Sequence, residues 1–236
     1  MKRAAAAVLA LAALLPAIAQ AQDYQCRVPS APVSIPRQPQ AGPTRDVPIT
    51  GFTLSLSWSP EYCRFREDSR KDARQCSGRD GRFGMVLHGL WPEGRGGGWP
   101  QYCPTRNRAT AASVRPHLCR TPSASLLAHE WAKHGSCLTR RPETYFRIAG
   151  ILYDSLRFPD FDRLSRQKNL TAGDLREAWL LANPAWDARG VGLDVDNRGW
   201  LEEIRLCYRR DYMPGRCDPR RFGPKDSTPV KIWRGL

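Results

Sequence analysis

The sequence predicts an α+β fold: a single domain with a central antiparallel sheet, packed by helices and stabilised by disulfides. Three observations carry that reading. Thr53, Ser55 and Ser57 alternate with Leu54, Leu56 and Trp58, the period of two that marks a strand with one apolar face. Pro142 to about Arg157 and Thr171 to about Leu181 instead repeat their apolar residues at helical spacing. All eight cysteines, at 26, 63, 76, 103, 119, 137, 207 and 217, follow residue 21, and an even count in an exported chain reads as a disulfide framework.

The chain opens as a signal peptide over residues 1–21. Lys2 and Arg3 precede an almost wholly apolar run from Ala4 to Ala17, and Ala19-Gln20-Ala21 supplies a small-x-small cleavage site. That run falls short of the roughly 18 to 20 residues a membrane span requires. No other segment could cross a bilayer, so the mature chain is expected to be soluble, in the periplasm or secreted. Residues 22–50 carry prolines at 29, 32, 36, 39, 43 and 48 with almost no apolar periodicity, and read as an extended lead-in. Residues 51–236 then form the domain. The full chain carries +14; without Lys2 and Arg3 it is still +12, from 35 basic and 23 acidic residues. Nearly all the excess is arginine, the side chain best shaped for phosphate, which points to a polyanionic partner or an anionic surface. Arginine-rich coding bias would give the same composition, so charge alone does not choose.

The elements follow in order. Thr53 to Trp58 is a strand, and 64–82 a polar, basic loop. Phe83 to Leu87 reads as a short buried strand delivering His88 to its end, with Gly89 and Pro92 as stops. Residues 94–120 are irregular. Thr121-Pro122-Ser123 opens a helix as an N-cap followed by proline, and Gly135 terminates it. Pro142 to about Arg157 is amphipathic. Thr171 with Asp174 caps the next helix. Late strands come from Ile204, Leu206 and Tyr208, and from Val230, Ile232 and Trp233. Spacing favours local bridges Cys63–Cys76 and Cys207–Cys217. Cys103–Cys137 would tie the loop after His88 to the helix, and the pairing of Cys26 with Cys119 stays open.

Two segments carry chemistry. The first is Leu87-His88-Gly89-Leu90-Trp91-Pro92-Glu93; the second is His129-Glu130-Trp131-Ala132-Lys133-His134-Gly135-Ser136-Cys137. At about 100° per residue, His129, Glu130, Lys133 and His134 fall within roughly 140° of one another, while Trp131 points away. Two separate imidazoles with a carboxylate and an ammonium can move protons both ways and steady a charged phosphorus centre. Zinc is the rival, because His129-Glu130 opens like H-E-x-x-H. That motif needs its second histidine where Lys133 stands. No Cys-x-x-Cys pair exists either, so no metal and no cofactor is expected. Trp91, Glu93 and Trp99 place aromatic faces beside a carboxylate, as a site for an unstacked base requires; core packing is the alternative for the tryptophans.

Both segments resemble the two signature stretches of the ribonuclease T2 family, in the right order and about forty residues apart, and the likeness extends over roughly residues 51 to 217. The resemblance implies an endoribonuclease that needs no metal and cuts single-stranded RNA by transesterification through a 2′,3′-cyclic phosphate to 3′-phosphate ends. By motif position it makes His88 the general acid and His134 the general base. Glu130 and Lys133 become the pair stabilising the phosphorane, and His129 a phosphate-binding histidine. Trp91, Glu93 and Trp99 fall where the family places a base pocket. A catalytically silent RNA-binding or host-interacting relative is the second reading. Nothing suggests more than a monomer.

Overall fold

The strands in chain order are β1 (Asp23–Tyr24), β2 (Ile49–Trp58), β3 (Arg82–Phe83), β4 (Met85–Gly94), β5 (Val191–Val195) and β6 (Leu201–Arg209). The helices are α1 (Ser59–Cys63), α2 (Ala73–Cys76), α3 (Ala111–Val114), α4 (Ala124–Glu130), α5 (Ser136–Leu138), α6 (Pro142–Asp154), α7 (Phe161–Ser165), α8 (Ala172–Ala182) and α9 (Pro219–Phe222). This is a computed structural model, and it describes residues 23–24, 26–30, 32–95 and 98–235. The expected signal peptide lies outside the described residues.

β4, β2, β6 and β5 form an antiparallel sheet in that order, and β1 pairs with β3 apart from it. The alternation read in β2 decides which way the sheet faces. Phe52, Leu54, Leu56 and Trp58 are buried on one side with Leu87 and Leu90 of β4 and Ile204 and Leu206 of β6. Tyr145, Phe146, Ala149 and Leu152 of α6 and Leu175 and Trp179 of α8 complete that core. Each large apolar side chain buried there contributes about 1.5–3 kcal/mol. β4 is an edge strand, and its outward groups are satisfied rather than left for another chain. Leu87 N–H donates to the Arg120 carbonyl, Thr121 Oγ1 donates to the Leu87 carbonyl, and Tyr145 Oη bonds both Leu90 N–H and Leu90 C=O.

Helix α8 starts as expected: Thr171 and Asp174 exchange side chain to backbone bonds in a capping box. Several boundaries differ from the sequence reading. β4 does not stop at Gly89 or Pro92; its pairing with β2 runs on to Gly94. Pro92 lacks an N–H but sits on the edge strand, where a missing donor is tolerated. The cap of α4 is Ser123, whose Oγ accepts from Leu126 N–H, not Thr121, whose hydroxyl is committed to β4. Gly135 keeps helical φ of −63° and the helix passes through it into α5. A Cβ there would lie 2.6 Å from the Trp131 ring and 2.7 Å from Tyr145, so the glycine serves close helix approach, not termination. Val230 and Ile232 are buried, yet their segment is no strand: its backbone bonds are split between Leu170, Gly199 and Leu201.

Four disulfides close the frame: Cys63–Cys76 and Cys207–Cys217 as spacing favoured, Cys103–Cys137 tying the loop after His88 to the helix, and Cys26–Cys119, the pairing left open. Among the described residues, no helix is long and apolar enough to cross a membrane.

Candidate active site

The polar side of β2 does not face solvent. Thr53 and Ser55 are 0 % exposed, and with half-buried Ser57 they floor a site on the sheet face opposite the core. Strand register brings the neighbours. Trp91 and Gly89 of β4 lie opposite Thr53 and Ser55, while Glu203 and Arg205 of β6 lie opposite Ser57 and Ser55. Asp194 of β5 lies opposite Glu203.

His88 reaches this face through a β-bulge. Ser55 pairs with Gly89 and the next residue, Leu56, pairs with Leu87, so His88 has no partner across the ladder. The extra residue lets Leu87 and Leu90 both point into the core. It also turns the imidazole toward the floor, a common use of bulges beside active sites. There His88 Nδ1 lies 2.6 Å from Glu203 Oε1, and Nε2 lies 3.6 Å from Glu130 Oε1.

The second motif lies alongside. α4 widens into a π-helical turn over Trp131–Gly135 before α5 resumes, a distortion that recurs at functional sites. Trp131 goes into the core as expected, its indole N–H donating to the Asn107 carbonyl. Glu130 is buried and accepts a 2.8 Å bond from Trp91 Nε1. His134 is buried, and its Nδ1 has no partner among the described residues. His129 and Lys133 stay half-exposed. The two imidazoles flank one indole: ring centroids are 5.2 Å from Trp91 to His88 and 5.7 Å from Trp91 to His134.

Electrostatics drive the two imidazoles apart. Burial opposes charge on His88, but the bond to Glu203 and the charges of Glu130 and Glu203 raise its pKa above the ordinary 6.5. Burial, then the positive charges of Lys133, His129, His88 and Arg221, push His134 down to about 2. His129 is also lowered, by burial and by Lys133 and His88. Burial raises Glu130 against the pull of His88, Trp91 and Lys133. Glu203 goes the other way: burial would raise it, but its bond to His88 and the charges of His88 and Arg205 hold it at about 2. Burial and neighbouring charge thus displace the two imidazoles in opposite directions, His88 upward and His134 downward.

Beside this pair lies an aromatic and arginine cluster. Glu93 Oε1 accepts from Thr53 Oγ1 at 2.7 Å and from Arg221 Nε at 3.0 Å. The Arg221 guanidinium sits 5.5 Å from the Trp91 ring and 5.4 Å from the Trp99 ring, and Arg45 covers Trp99 at 4.7 Å. The structure therefore puts Trp91 among the histidines, and Glu93 and Trp99 around a guanidinium.

Residues 49–174 match the model of the ribonuclease T2 family. The chain belongs to that family. A curated ribonuclease of Aeromonas hydrophila is 33% identical over 167 residues, covering 68% of this chain and 72% of that protein. A probable ribonuclease of Haemophilus influenzae is 31% identical over 145 residues, 57% of this chain and 53% of that protein. Among solved structures, an RNase-related protein from Calystegia sepium superposes with a TM-score of 0.61 at 20% identity, over 78% of this chain and 98% of that one. RNase NT in complex with 5′-AMP gives 0.56 at 19% identity, over 78% and 98%. At those identities the structures speak for the T2 fold alone.

Glu203, Arg205 and Arg221 all follow the matched segment and escaped the sequence reading. Arg221 is held in place by the tail's own anchors. Arg176 of α8, 1 % exposed, donates to the carbonyls of Val191, Phe222 and Pro224 and pairs with Asp226. Gly223 adopts φ +77°, and a Cβ there would lie 1.9 Å from the Leu193 carbonyl oxygen, so only glycine lets the tail lie against β5. The polar alternation in Glu203 and Arg205 around buried Ile204 was the one available signal.

Proposed function

We propose that this T2-family chain is a metal-independent endoribonuclease that cleaves single-stranded RNA by transesterification. Neutral His134 takes the 2′-hydroxyl proton, and the 2′-oxygen attacks phosphorus. Lys133 and Glu130, with His129 on a phosphate oxygen, steady the pentacoordinate centre. Protonated His88 gives its Nε2 proton to the departing 5′-oxygen, leaving a 2′,3′-cyclic phosphate. In the second half the roles reverse: His88 draws a proton from water, and His134 returns one to the 2′-oxygen, giving a 3′-phosphate. The observation that carries this reading is geometric: His88 and His134 flank the Trp91 indole at centroid distances of 5.2 and 5.7 Å, and Glu130 is bonded to that indole and lies 3.6 Å from His88 Nε2. Acid and base of this kind each contribute typically about 10²- to 10⁴-fold.

Trp91, Glu93 and Trp99 would receive a base beside the cleaved phosphate, with Arg221 supplying positive charge. The catalytic domain is residues 51–236, acting as a monomer. The leader-like start and the four disulfides support export to the periplasm or beyond. The test is incubation of RNA with purified protein and excess chelator, with mass analysis of the fragment ends. Cyclic-phosphate and 3′-phosphate ends are the expected result. Intact RNA, or activity restored only by added metal, would refute the reading.

A further inference from the structure

A carboxylate held under a sheet floor needs a reason. Glu203 is among the buried residues, and partnered buried charges contribute little net stability against apolar replacements. Every bond it makes serves one geometry. Ser55 Oγ donates to Oε2 at 2.9 Å and Ser57 Oγ to Oε1 at 3.1 Å. Arg205 Nε donates to Oε2 at 3.1 Å, and Arg205 is itself held by Asp194. The remaining bond, 2.6 Å from Oε1, goes to His88 Nδ1. An ionised carboxylate only accepts, so Nδ1 carries the hydrogen and Nε2 is the nitrogen turned toward the reaction.

We propose that Glu203 is the positioning residue of the reaction: it locks the His88 ring and tautomer so that Nε2 delivers the leaving-group proton. The inference rests on the reading of His88 as general acid. Glu203 stays ionised throughout, while the proton leaves from Nε2 and the neutral ring keeps Nδ1–H. Groups facing His88 come from each packed element: Glu203 and Arg205 from β6, and Glu130, His129 and His134 from the motif helix. Of these, only Glu203 bonds Nδ1, at 2.6 Å, with the Ser57 hydroxyl that it also holds lying 3.4 Å from the same nitrogen. Its neighbours also make the isosteric amide disruptive. In Glu203→Gln the NH₂ must face either Arg205 or His88, and both present donors.

The experiment compares Glu203→Gln, Glu203→Ala and Glu203→Asp with wild type. Two substrates are used: RNA, and nucleoside 3′-(4-nitrophenyl) phosphates, whose leaving group needs no proton. Glu203→Gln is expected to lower kcat on RNA by about 10- to 100-fold at unchanged KM, the range seen when a partner orienting a functional imidazole is removed. The alkaline limb of kcat/KM should move to lower pH, the aryl phosphates should be largely spared, and Glu203→Asp, which keeps the charge, should hold the alkaline limb. Wild-type kcat and limb in Glu203→Gln would overturn the proposal, and so would equal losses on both substrates in a variant of unchanged Tm. His88→Ala tests the parent reading separately. Equal impairment on both substrates removes the acid assignment and the proposal with it. If His88→Ala spares the aryl phosphates and Glu203→Gln does not, positioning alone fails.

Discussion

Gly89→Ala should disable the site from a position that performs no chemistry. A Cβ on Gly89 would stand 2.0 Å from Glu130 Oε2, 2.7 Å from Glu130 Cδ and 2.9 Å from Trp91 Nε1. The nearest atom ends a side chain, but Glu130 is only 2 % exposed and is tied to the indole N–H. Relief requires the carboxylate to move by roughly 1.5 Å, which forfeits the Trp91 bond, or the edge strand to bow outward. Overpacking costs about 1–3 kcal/mol and a stranded buried donor about as much again, so a loss of about 2–6 kcal/mol is expected. For a chain of this size that lowers Tm by roughly 4–24 °C. Catalysis should suffer more, since a displacement near 1 Å costs about 10²-fold. Thermal melts by circular dichroism and steady-state RNA cleavage measure both. Wild-type Tm and kcat in Gly89→Ala would mean that Glu130 does not occupy the place described.

The free-enzyme kcat/KM profile should show no acid limb near 6.5, because His134 is held at about 2, and should fall as pH rises through a raised His88 pKa. An acid limb at 6.5 in stopped-flow or initial-rate data would contradict this ordering. Replacing Cys103 and Cys137 by serine opens a loop of sequence separation 34. That should cost about 4 kcal/mol by the chain-entropy relation, seen as a lower urea midpoint with a steeper slope because the unfolded chain becomes less compact. Arg176→Met strands three carbonyls and should cost about 3 kcal/mol or more. Because the tail it anchors carries Arg221, KM for RNA should rise more than kcat falls; an unchanged KM would separate the two.

The sequence made the core legible wherever a residue's environment repeats with the element. β2 shows this in Leu54, Leu56 and Trp58, and α8 in its Thr171 cap. It failed where one residue answers to a distant partner. Gly135 looks like a stop because glycine usually ends helices, yet here it admits Tyr145. Thr121 looks like a cap, but its hydroxyl satisfies the edge of β4. The serines of β2 look solvated because they are polar, although Ser55 is buried under the site. In the site itself, the two histidine segments were readable because their chemistry is contiguous. Glu203 lies 115 residues from His88 in the chain, and only strand pairing with β2 brings them within a hydrogen bond.

The unpaired position in β4 has a further consequence. Deleting either Val86 or Leu87 would let the two strands zip without interruption and swing the imidazole round to the oily side of the sheet. What this stretch must preserve through sequence change is therefore a count as much as an alphabet: many spellings are tolerable, but not a shorter word.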